Sequence, residues 1–535
     1  MIVHGEAIVN NIHGLLFTKT ENMKRLFLKM SFFFWVCILS IATVKAQENK
    51  LPAFITDSLD NYIKTAMGEW NIPGLSVAVV KDGKVVFMKG YGVTEAGGKE
   101  PVDENTLFMI GSNTKAFTAT ALSILQESGQ MSMDDKVLKW MPEFRLQDSL
   151  ATADLRICDL LSHRIGFETF QGDFTYWTSN LTRSEIIRKM SLIRAPYPFR
   201  TKWGYCNAAF VTAGELIPRI TGRNWEDVVR DSILKPLQMD RTIIMSSELK
   251  NVKNIAYPHT IIDNKICRVK FANLDNLAAA GSIVSSASDM SHWLLTQLAN
   301  GKFNNVQAIP PGAIQSIRQP YSIITSDPAD DRLSHFYLYG LGISINDLNG
   351  EILYSHTGGV DGFLSCVMFM PEEQLGIVVL TNSDQNGLYN SLASEIRDSF
   401  LGLPFRNYSG RSLARFTSNQ EESARVLDSL RRIVAMDKNP VLPLSNFTGR
   451  YTNELYGDIF ISIEKDQLVI SFSNHPDMKG MLQYIDNNSF LCTYSNPEMG
   501  IVEMPFRLTD GKVSGLTLRV SDFVEFLPYE FQKAD

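Results

Sequence analysis

The sequence predicts an α+β protein in which helices flank an antiparallel sheet and a separate all-β domain follows. Strand patterns occur at both ends of residues 50–405, and helical patterns fill the middle of that range. From residue 446 onward the pattern changes to short alternating segments separated by turns. A chain of 535 residues is long enough for two or three domains. Together these observations predict one α+β domain and one all-β domain.

The first predicted elements are a strand pair and a long helix. Residues 75–91 alternate between apolar and polar side chains around Asp82-Gly83, which is a typical hairpin turn. A helix rich in alanine and leucine begins at Ser112 and ends near Gly129. The same helical periodicity predicts further helices at residues 183–193, 208–221, 224–235 and 287–299.

Strands return after this helical middle. Apolar, β-branched segments predict strands at residues 339–345, 351–355, 363–370 and 375–380. A helix at residues 388–401 closes this part of the chain. Because strands lie on both sides of the helical stretch, a single antiparallel sheet built from both ends of residues 50–405 accounts for most of the elements.

The remainder of the chain divides into a linker and a β-domain. Residues 406–445 are charged and have helical periodicity, which indicates a helical linker. Residues 446–535 then carry short strands at spacings of roughly 8–12 residues, which is typical of a barrel or sandwich. The strands are predicted at residues 457–464, 467–472, 480–485, 489–494, 502–508, 513–520 and 522–528.

The N-terminus has the features of an export signal. Three basic residues precede an apolar stretch at residues 30–44, and residues 44–46 resemble a signal-peptide cleavage site. The stretch is short for a membrane span, which needs about 20 residues. We therefore predict a leader and signal peptide over residues 1–46, with the true start at Met23. The mature protein is expected to be periplasmic or secreted, with no stable membrane span.

Composition excludes several classes of function. A formal net charge of −7, with no basic cluster among aromatic residues, argues against a nucleic-acid partner. One of the six cysteines, Cys37, lies in the leader, and the others have neither disulfide-framework nor zinc-site spacing. We therefore predict no metal and no cofactor. The sequence leaves the oligomeric state open.

One Ser-x-x-Lys motif stands out from the others. Ser112 and Lys115 lie one helical turn apart, so their side chains share a helix face. Ser112 opens a long helix after an apolar segment, where free backbone N–H groups favour a developing negative charge. This pair therefore predicts a nucleophile with its base. The same motif occurs in less favourable contexts at Ser232–Lys235, Ser247–Lys250 and Ser462–Lys465.

Two later segments complement the pair. Tyr205 and Asn207 lie in a loop before a predicted helix and face a common side. The second segment ends a strand in glycines, which let a substrate approach the backbone closely; its sequence is His356-Thr357-Gly358-Gly359-Val360-Asp361. A Gly-x-Ser-x-Gly nucleophile elbow is absent from the sequence.

Ser-x-x-Lys, Tyr-x-Asn and His-Thr-Gly, in that order, resemble the motifs of the penicillin-recognising serine hydrolases, specifically the class C beta-lactamase-related branch. Supporting phrases are Leu160-Leu161-Ser162-His163 and Ala280-Gly281-Ser282. The resemblance implies a beta-lactamase/transpeptidase-like catalytic domain over residues 50–405. The tail is similar to the lipocalin-like β-barrel that some of these enzymes carry, which implies a barrel over residues 446–535.

The resemblance also implies roles for individual residues. Ser112 is expected to be acylated, Lys115 to accept its proton and Tyr205 to relay protons. Asn207 is expected to bind the substrate or Lys115. The backbone N–H groups of Ser112 and Gly359 are expected to form an oxyanion hole. The segment from His356 through Gly358 is expected to bind substrate.

This sequence departs from the family pattern at two positions. Beta-lactamases of this branch usually have lysine where this chain has His356, and a neutral imidazole attracts a substrate carboxylate less than an ammonium does. Cys206 stands where serine is common, and we expect it to be a spectator. Asp361 follows the glycines and either lines the acyl pocket or caps a turn. The departure at His356 favours an esterase, peptidase or transacylase.

The leading hypothesis is an exported serine hydrolase that takes a small-molecule or peptide acyl substrate. Its Ser112 acyl-enzyme would form on an ester or amide, as in an esterase or a D-amino-acid peptidase. The alternatives are an acyltransferase that acts on the alcohol of a sterol- or polyketide-like molecule, a beta-lactamase, and a non-catalytic cell-wall or ligand-binding protein.

Overall fold

The computed structural model describes residues 50–263, 265–325 and 334–534. The predicted leader, residues 1–46, lies outside the described residues. Within the described ranges, no helix combines the length and the apolar character that crossing a bilayer requires. The elements below all belong to the compact unit Asp57–Asp535.

An eight-stranded antiparallel sheet forms the centre of the first domain. With strands numbered in chain order, its order is β2-β1-β14-β13-β12-β11-β10-β9. These strands are β1 (Gly74–Lys81), β2 (Lys84–Gly92), β9 (Ser322–Thr325), β10 (Tyr337–Tyr339), β11 (Ser344–Leu348), β12 (Glu351–Val360), β13 (Phe363–Met370) and β14 (Leu375–Thr381). Three short pairs accompany it: β3 (Phe108–Met109) with β6 (Val284–Ser285), β4 (His259–Ile262) with β5 (Lys265–Arg268), and β7 (Lys302–Phe303) with β8 (Val306–Gln307).

The predicted sheet built from both ends of the domain is confirmed. Strand β1 pairs with β14, and Val77 lies opposite Val379. Every residue of β14 is buried, which requires cover on both faces because successive side chains point to opposite sides. Helices Ala287–Leu298 and Leu388–Phe400 pack on this strand.

The strand predicted at residues 339–345 is wrong, because the structure has two strands there and not one continuous strand. Residues 339–345 form the end of β10 and the start of β11, with a turn between the two strands. Gly342 has a φ of +71°, which breaks an extended strand. An added Cβ on Gly340 would lie 2.3 Å from the carbonyl oxygen of Ile317, so this glycine allows the turn to pack against a neighbouring helix.

The helices lie close to their predicted positions. The helix predicted from Ser112 begins with a 3-10 turn, Gly111–Asn113, and continues as a buried α-helix. The α-helices are Leu59–Glu69, Thr114–Glu127, Val137–Trp140, Ser149–Asp154, Ile157–Leu161, Arg183–Lys189, Asn207–Thr221, Trp225–Val229, Ala278–Gly281, Ala287–Leu298, Pro311–Ile317, Leu388–Phe400 and Tyr408–Val434.

The C-terminal β-domain is a closed eight-stranded barrel, as the resemblance implied. Its interior is apolar, with Phe447, Phe490 and Phe506 packed edge to face. The strands are β15 (Gly449–Asn453), β16 (Gly457–Glu464), β17 (Gln467–Phe472), β18 (Lys479–Tyr484), β19 (Ser489–Tyr494), β20 (Ile501–Thr509), β21 (Lys512–Leu518) and β22 (Tyr529–Lys533).

The strand predicted at residues 522–528 is wrong. These residues lie in the connection between β21 and β22, residues 519–528, which we call the barrel loop. Burial in this loop does not alternate. Val524 and Glu525 are consecutive and both are buried, whereas successive side chains of a strand point to opposite faces.

Two glycine positions bring strand β12 against the start of the helix that follows Ser112. Gly111 has a φ of +53°, and a Cβ there would lie 2.9 Å from the Gly359 nitrogen. A Cβ on Gly358 would lie 1.9 Å from the carbonyl oxygen of Ile110. Only residues without a side chain allow this approach, which places the backbone of β12 beside Ser112.

We predict that Gly358→Ala destabilises the protein, because the new methyl group overlaps backbone that cannot move freely. The free energy of unfolding should fall by about 1–3 kcal/mol, as for other overpacked sites. The matched control is Gly68→Ala, since Gly68 lies in a helix with no atom within 4 Å of an added Cβ. That variant should be more stable by about 0.5–1 kcal/mol. Equal urea midpoints for the two variants would contradict the close approach.

Candidate active site

The structure brings Ser112 and Lys115 into direct contact. The Lys115 ammonium lies 3.0 Å from the Ser112 hydroxyl oxygen, and Ser112, in the middle of the 3-10 turn, remains partly exposed. A nucleophile that substrate can reach thus has a nitrogen base within hydrogen-bond distance.

Lys115 is completely buried. Besides Ser112, its amine donates to the side-chain oxygen of Asn207 at 2.7 Å and to the carbonyl oxygen of Ala280 at 2.8 Å. The rings of Tyr205 and Phe210 lie 4.7 Å and 5.4 Å from the nitrogen. Burial lowers the pKa of Lys115 to about 7, although the charge of Asp173 opposes this shift. A substantial share of the amine is therefore neutral near pH 7.

A buried acid lies behind Asn207. The Asn207 amide nitrogen donates to Asp173 at 2.6 Å, and the Tyr176 hydroxyl donates to the other oxygen of the same carboxyl group. Burial raises the pKa of Asp173 to about 8, and the charge of Glu525 acts in the same direction. Asp173 fixes which atom Asn207 turns toward Lys115, because the Asn207 nitrogen is committed to the acid and the oxygen to the amine.

Tyr205 lies beside both Lys115 and Ser112, and its side chain is hydrogen-bonded to Ser112. Burial raises the pKa of Tyr205 above its usual range, so the hydroxyl remains protonated. Aromatic side chains fix the ring: His163 lies 4.3 Å away and Phe170 lies 5.5 Å away, centroid to centroid. A positioned hydroxyl at this point can pass a proton between Ser112 and a leaving group.

His356 is a neutral imidazole in this site. Its Nδ1 lies 2.6 Å from the Thr357 carbonyl oxygen, which can only accept, so Nδ1 carries the proton. Its Nε2 therefore accepts from the Tyr339 hydroxyl at 2.9 Å. Burial, followed by the charge of Lys115, lowers the pKa of His356 to about 3. This residue presents no positive charge to a substrate carboxylate.

A small cavity adjoins Ser112. It has about 10 Å³ of free space, and it is lined by Ser112, Trp177, Asn207, Leu274, Leu277, Ala280, Gly281 and Gly359. That volume holds about one water molecule. Because Ser112 and Gly359 meet at this cavity, their backbone N–H groups are the candidates for an oxyanion hole. The neighbouring Thr357 is exposed at the rim of β12.

Asp361 does not line this cavity. Its carboxyl group is buried and accepts the indole N–H of Trp177 at 3.0 Å. Burial raises the pKa of Asp361 to about 6, an effect to which the charge of Asp384 adds. The sequence left two roles for Asp361, lining the acyl pocket or capping a turn. The geometry does not place its carboxyl group where an acyl group would contact it. Asp361 instead orients Trp177, which does line the cavity.

Cys206 lies beside these residues but makes none of the contacts above. Its thiol is buried, and burial raises its pKa to about 12, so it remains protonated. The backbone N–H of Cys206 donates to His163 Nδ1 at 3.0 Å. The geometry is that of a packing residue at the start of the helix Asn207–Thr221.

Sequence reasoning missed several residues that shape the site. Asp173 and Trp177 lie in an irregular segment, residues 170–180, which we call the bridging segment; Glu525 and Phe523 lie in the barrel loop. None of them belongs to a spaced motif, and only the folded chain brings them to Ser112. Among the described residues, no group of three or more histidine, cysteine, aspartate or glutamate side chains is arranged to hold a metal ion.

Comparison with protein families assigns both parts of the chain. The model of the beta-lactamase family matches residues 59–399, which is more than half of the chain. A model described as a domain of unknown function, DUF3471, matches residues 435–533.

Individual relatives are distant. An unguisins hydrolase of Aspergillus campestris is 27% identical over 425 residues, which cover 76% of this chain and 77% of that protein. The octameric penicillin-binding protein homologue from Pyrococcus abyssi has a similar structure, with a TM-score of 0.58 at 21% identity, covering 89% of this chain and 100% of that one. A D-amino acid amidase from Ochrobactrum anthropi gives a TM-score of 0.53 at 22% identity, covering 65% of this chain and 99% of that one.

We predict that acylation of the nucleophile accelerates as the pH rises through about 7. The neutral amine is the basic form of Lys115, and its lowered pKa places this change near neutrality. The measurement is the second-order rate of inactivation by a fluorophosphonate between pH 5 and 9. Cys206→Ser should keep both the rate and the profile.

The buried acid Asp173 also titrates in this region, so it needs its own control. If Lys115 is the titrating group, the inactivation rate of Asp173→Asn should still rise with pH as it does in the wild type. A rise that disappears in this variant, or a wild-type rate that rises only above pH 9, would contradict the assignment to Lys115.

Proposed function

This chain belongs to the beta-lactamase family as a serine hydrolase, and we propose that it cleaves amide or ester bonds through an acyl-enzyme on Ser112. The observation that carries the proposal is the contact of 3.0 Å between Ser112 and a lysine amine that burial makes partly neutral. Together these give a usable nucleophile and base in one place.

In the acylation step, the Ser112 hydroxyl gives its proton to the neutral Lys115 amine while its oxygen bonds to the substrate carbonyl carbon. The carbonyl oxygen becomes an oxyanion, which the N–H groups of Ser112 and Gly359 stabilise. One such donor is worth about 10²–10³-fold in rate in other hydrolases. Because Ser112 lies at the start of a helix, the helix dipole also favours this charge.

The tetrahedral intermediate then collapses, and the bond to the leaving group breaks. The leaving nitrogen or oxygen takes the proton now held by Lys115, with the Tyr205 hydroxyl as the relay. Tyr205 is suited to this role because it contacts Ser112 and remains protonated over the whole working range of pH. Water then attacks the acyl-enzyme by the reverse sequence of proton transfers, and Ser112 is regenerated.

We propose substrates whose acyl part is a small D-amino-acid residue. Three observations support this class. The relative from Aspergillus campestris is a hydrolase, the fold is shared with an amidase of D-amino acids, and the cavity beside Ser112 is small. Beta-lactams fit the site less well, since the neutral His356 gives their carboxylate no cation to bind. Export, predicted from residues 1–46, is part of this proposal.

We predict that a fluorophosphonate or penicillin labels the purified mature protein at Ser112 and that Ser112→Ala removes the label. The other Ser-x-x-Lys motifs provide matched controls, because Ser232→Ala, Ser247→Ala and Ser462→Ala should all be labelled normally. Lys115→Ala should slow labelling by about 10²–10⁴-fold, the usual contribution of a general base. Labelling that survives in Ser112→Ala would contradict the proposal.

The substrate class is tested with paired p-nitroanilides of D-alanine and L-alanine. We predict that kcat/KM is higher for the D form and that Ser112→Ala abolishes turnover of both. Chromatography of the products with an added alcohol separates hydrolysis from acyl transfer. Equal turnover of the two enantiomers would contradict the D-amino-acid class, and an ester product in place of the free acid would identify an acyltransferase.

A further inference from the structure

Two segments connect the barrel with the active site: the bridging segment of the catalytic domain and the barrel loop. The bridging segment of the catalytic domain runs along the barrel, and its Phe174 packs among barrel residues. The ring of Phe174 is stacked on those of His475 at 4.7 Å and Tyr529 at 5.6 Å, and it meets the edge of Phe472 at 5.9 Å. The same segment turns Asp173 toward Asn207. Two neighbouring residues of the bridging segment therefore contact different parts of the molecule: Phe174 packs against the barrel, and Asp173 binds Asn207 in the active site.

The barrel loop contacts the bridging segment directly. Glu525 is completely buried, and its carboxyl group accepts the N–H groups of Gly172 at 2.8 Å and Phe174 at 3.1 Å. The same group also accepts the hydroxyl of Tyr456 at 2.9 Å. Val524 is buried as well. These contacts fix the backbone of the loop immediately beyond Phe523.

Phe523 extends from this anchored loop onto strand β12. Its ring lies 3.5 Å from the position that a Cβ on Gly359 would occupy. Its edge meets the ring of Trp177 with centroids 6.0 Å apart and planes at 88°. Trp177 is itself fixed by the hydrogen bond to Asp361 and lines the cavity beside Ser112. Trp177 thus lines the cavity directly, and Phe523 packs against two of its lining residues, Trp177 and Gly359, without lining the cavity itself.

The cavity that Trp177 lines is on the acyl side of the reaction. Ser112 and Gly359 line it, but Tyr205 and His356 do not. A carbonyl oxygen directed at the N–H groups of Ser112 and Gly359 leaves the carbonyl carbon with two other substituents. The leaving group must face its proton donor, Tyr205, so the acyl chain is the substituent that enters the cavity.

We propose that Phe523 of the C-terminal barrel is a specificity-determining residue, which, together with Trp177, restricts the enzyme to short acyl chains. The cavity of about 10 Å³ has room for about one small group. A longer chain has to displace the ring of Trp177, and Phe523 packs against that ring and opposes its displacement. The barrel therefore limits the size of the acyl group. This inference rests on the proposed function, since it assumes that Ser112 is acylated.

The test is a series of p-nitrophenyl esters with acyl chains from acetyl to octanoyl, measured as kcat/KM on the full mature chain. Phe523→Ala should raise the ratio of octanoyl to acetyl turnover by at least about tenfold, because a pocket enlarged by a ring readily accepts extra methylene groups. Phe523→Trp should lower the ratio of butyryl to acetyl turnover. The matched control is Phe460→Ala on the barrel exterior, where the side chain is 44% exposed, and it should leave both ratios unchanged.

The possible outcomes separate this inference from the proposed function. Achiral esters test acyl size whether or not the enzyme prefers D-amino acids. If Ser112→Ala still turns over the esters, the acyl-enzyme itself is wrong. If wild-type Ser112 is acylated but neither Phe523 variant changes the chain-length ratio, the size restriction is wrong. If Phe523→Ala lowers kcat/KM by the same factor for every ester, Phe523 has only a structural role, and this result would also overturn the inference. If Phe523→Ala does not fold, the test is the ratio of butyryl to acetyl turnover in Phe523→Trp, which should be lower than in the wild type.

Discussion

The active site depends on the burial of one lysine amine, that of Lys115, away from solvent. A solvated lysine remains charged at neutral pH and cannot accept a proton. Lys115 is completely buried, and its three hydrogen-bond acceptors are one hydroxyl, one amide oxygen and one carbonyl oxygen. None of these carries a charge, so burial outweighs the opposing effect of Asp173 and the pKa of Lys115 falls to about 7. Ser112 gains a base only because the fold excludes water and anions from this contact.

The barrel is part of this arrangement. Asp173 controls the orientation of Asn207, and the segment that carries Asp173 is held by the barrel through Glu525. Burial raises the pKa of Glu525 to about 7, with its backbone hydrogen bonds opposing the shift. The charge of Glu525 also raises the pKa of Asp173, so the two buried acids, one from each domain, influence each other. The C-terminal domain therefore contributes to the electrostatics behind the nucleophile.

Much of the fold and the reacting groups was predictable from local patterns. Ser112 and Lys115 share a helix face by spacing alone, and apolar, β-branched segments predicted the core strands β13 and β14 close to their observed positions. The bridging segment and the barrel loop were not predictable, because their residues become neighbours of Ser112 only through tertiary packing. The sequence pattern at residues 522–528 led to a wrong strand, since this loop buries two consecutive residues, Val524 and Glu525, and leaves Asp522 and Phe526 exposed.

The most direct measurement is the titration of Lys115 itself. Protein labelled with [ε-13C]lysine has one signal for each lysine side chain, and Lys115→Arg identifies the signal that belongs to this residue. We predict that this signal titrates near pH 7, because burial lowers the pKa of Lys115 to about 7 from the ordinary lysine value of 10.5. A Lys115 signal that titrates above pH 10 would contradict the role of Lys115 as the base, because Ser112 would then have no neutral amine to accept its proton.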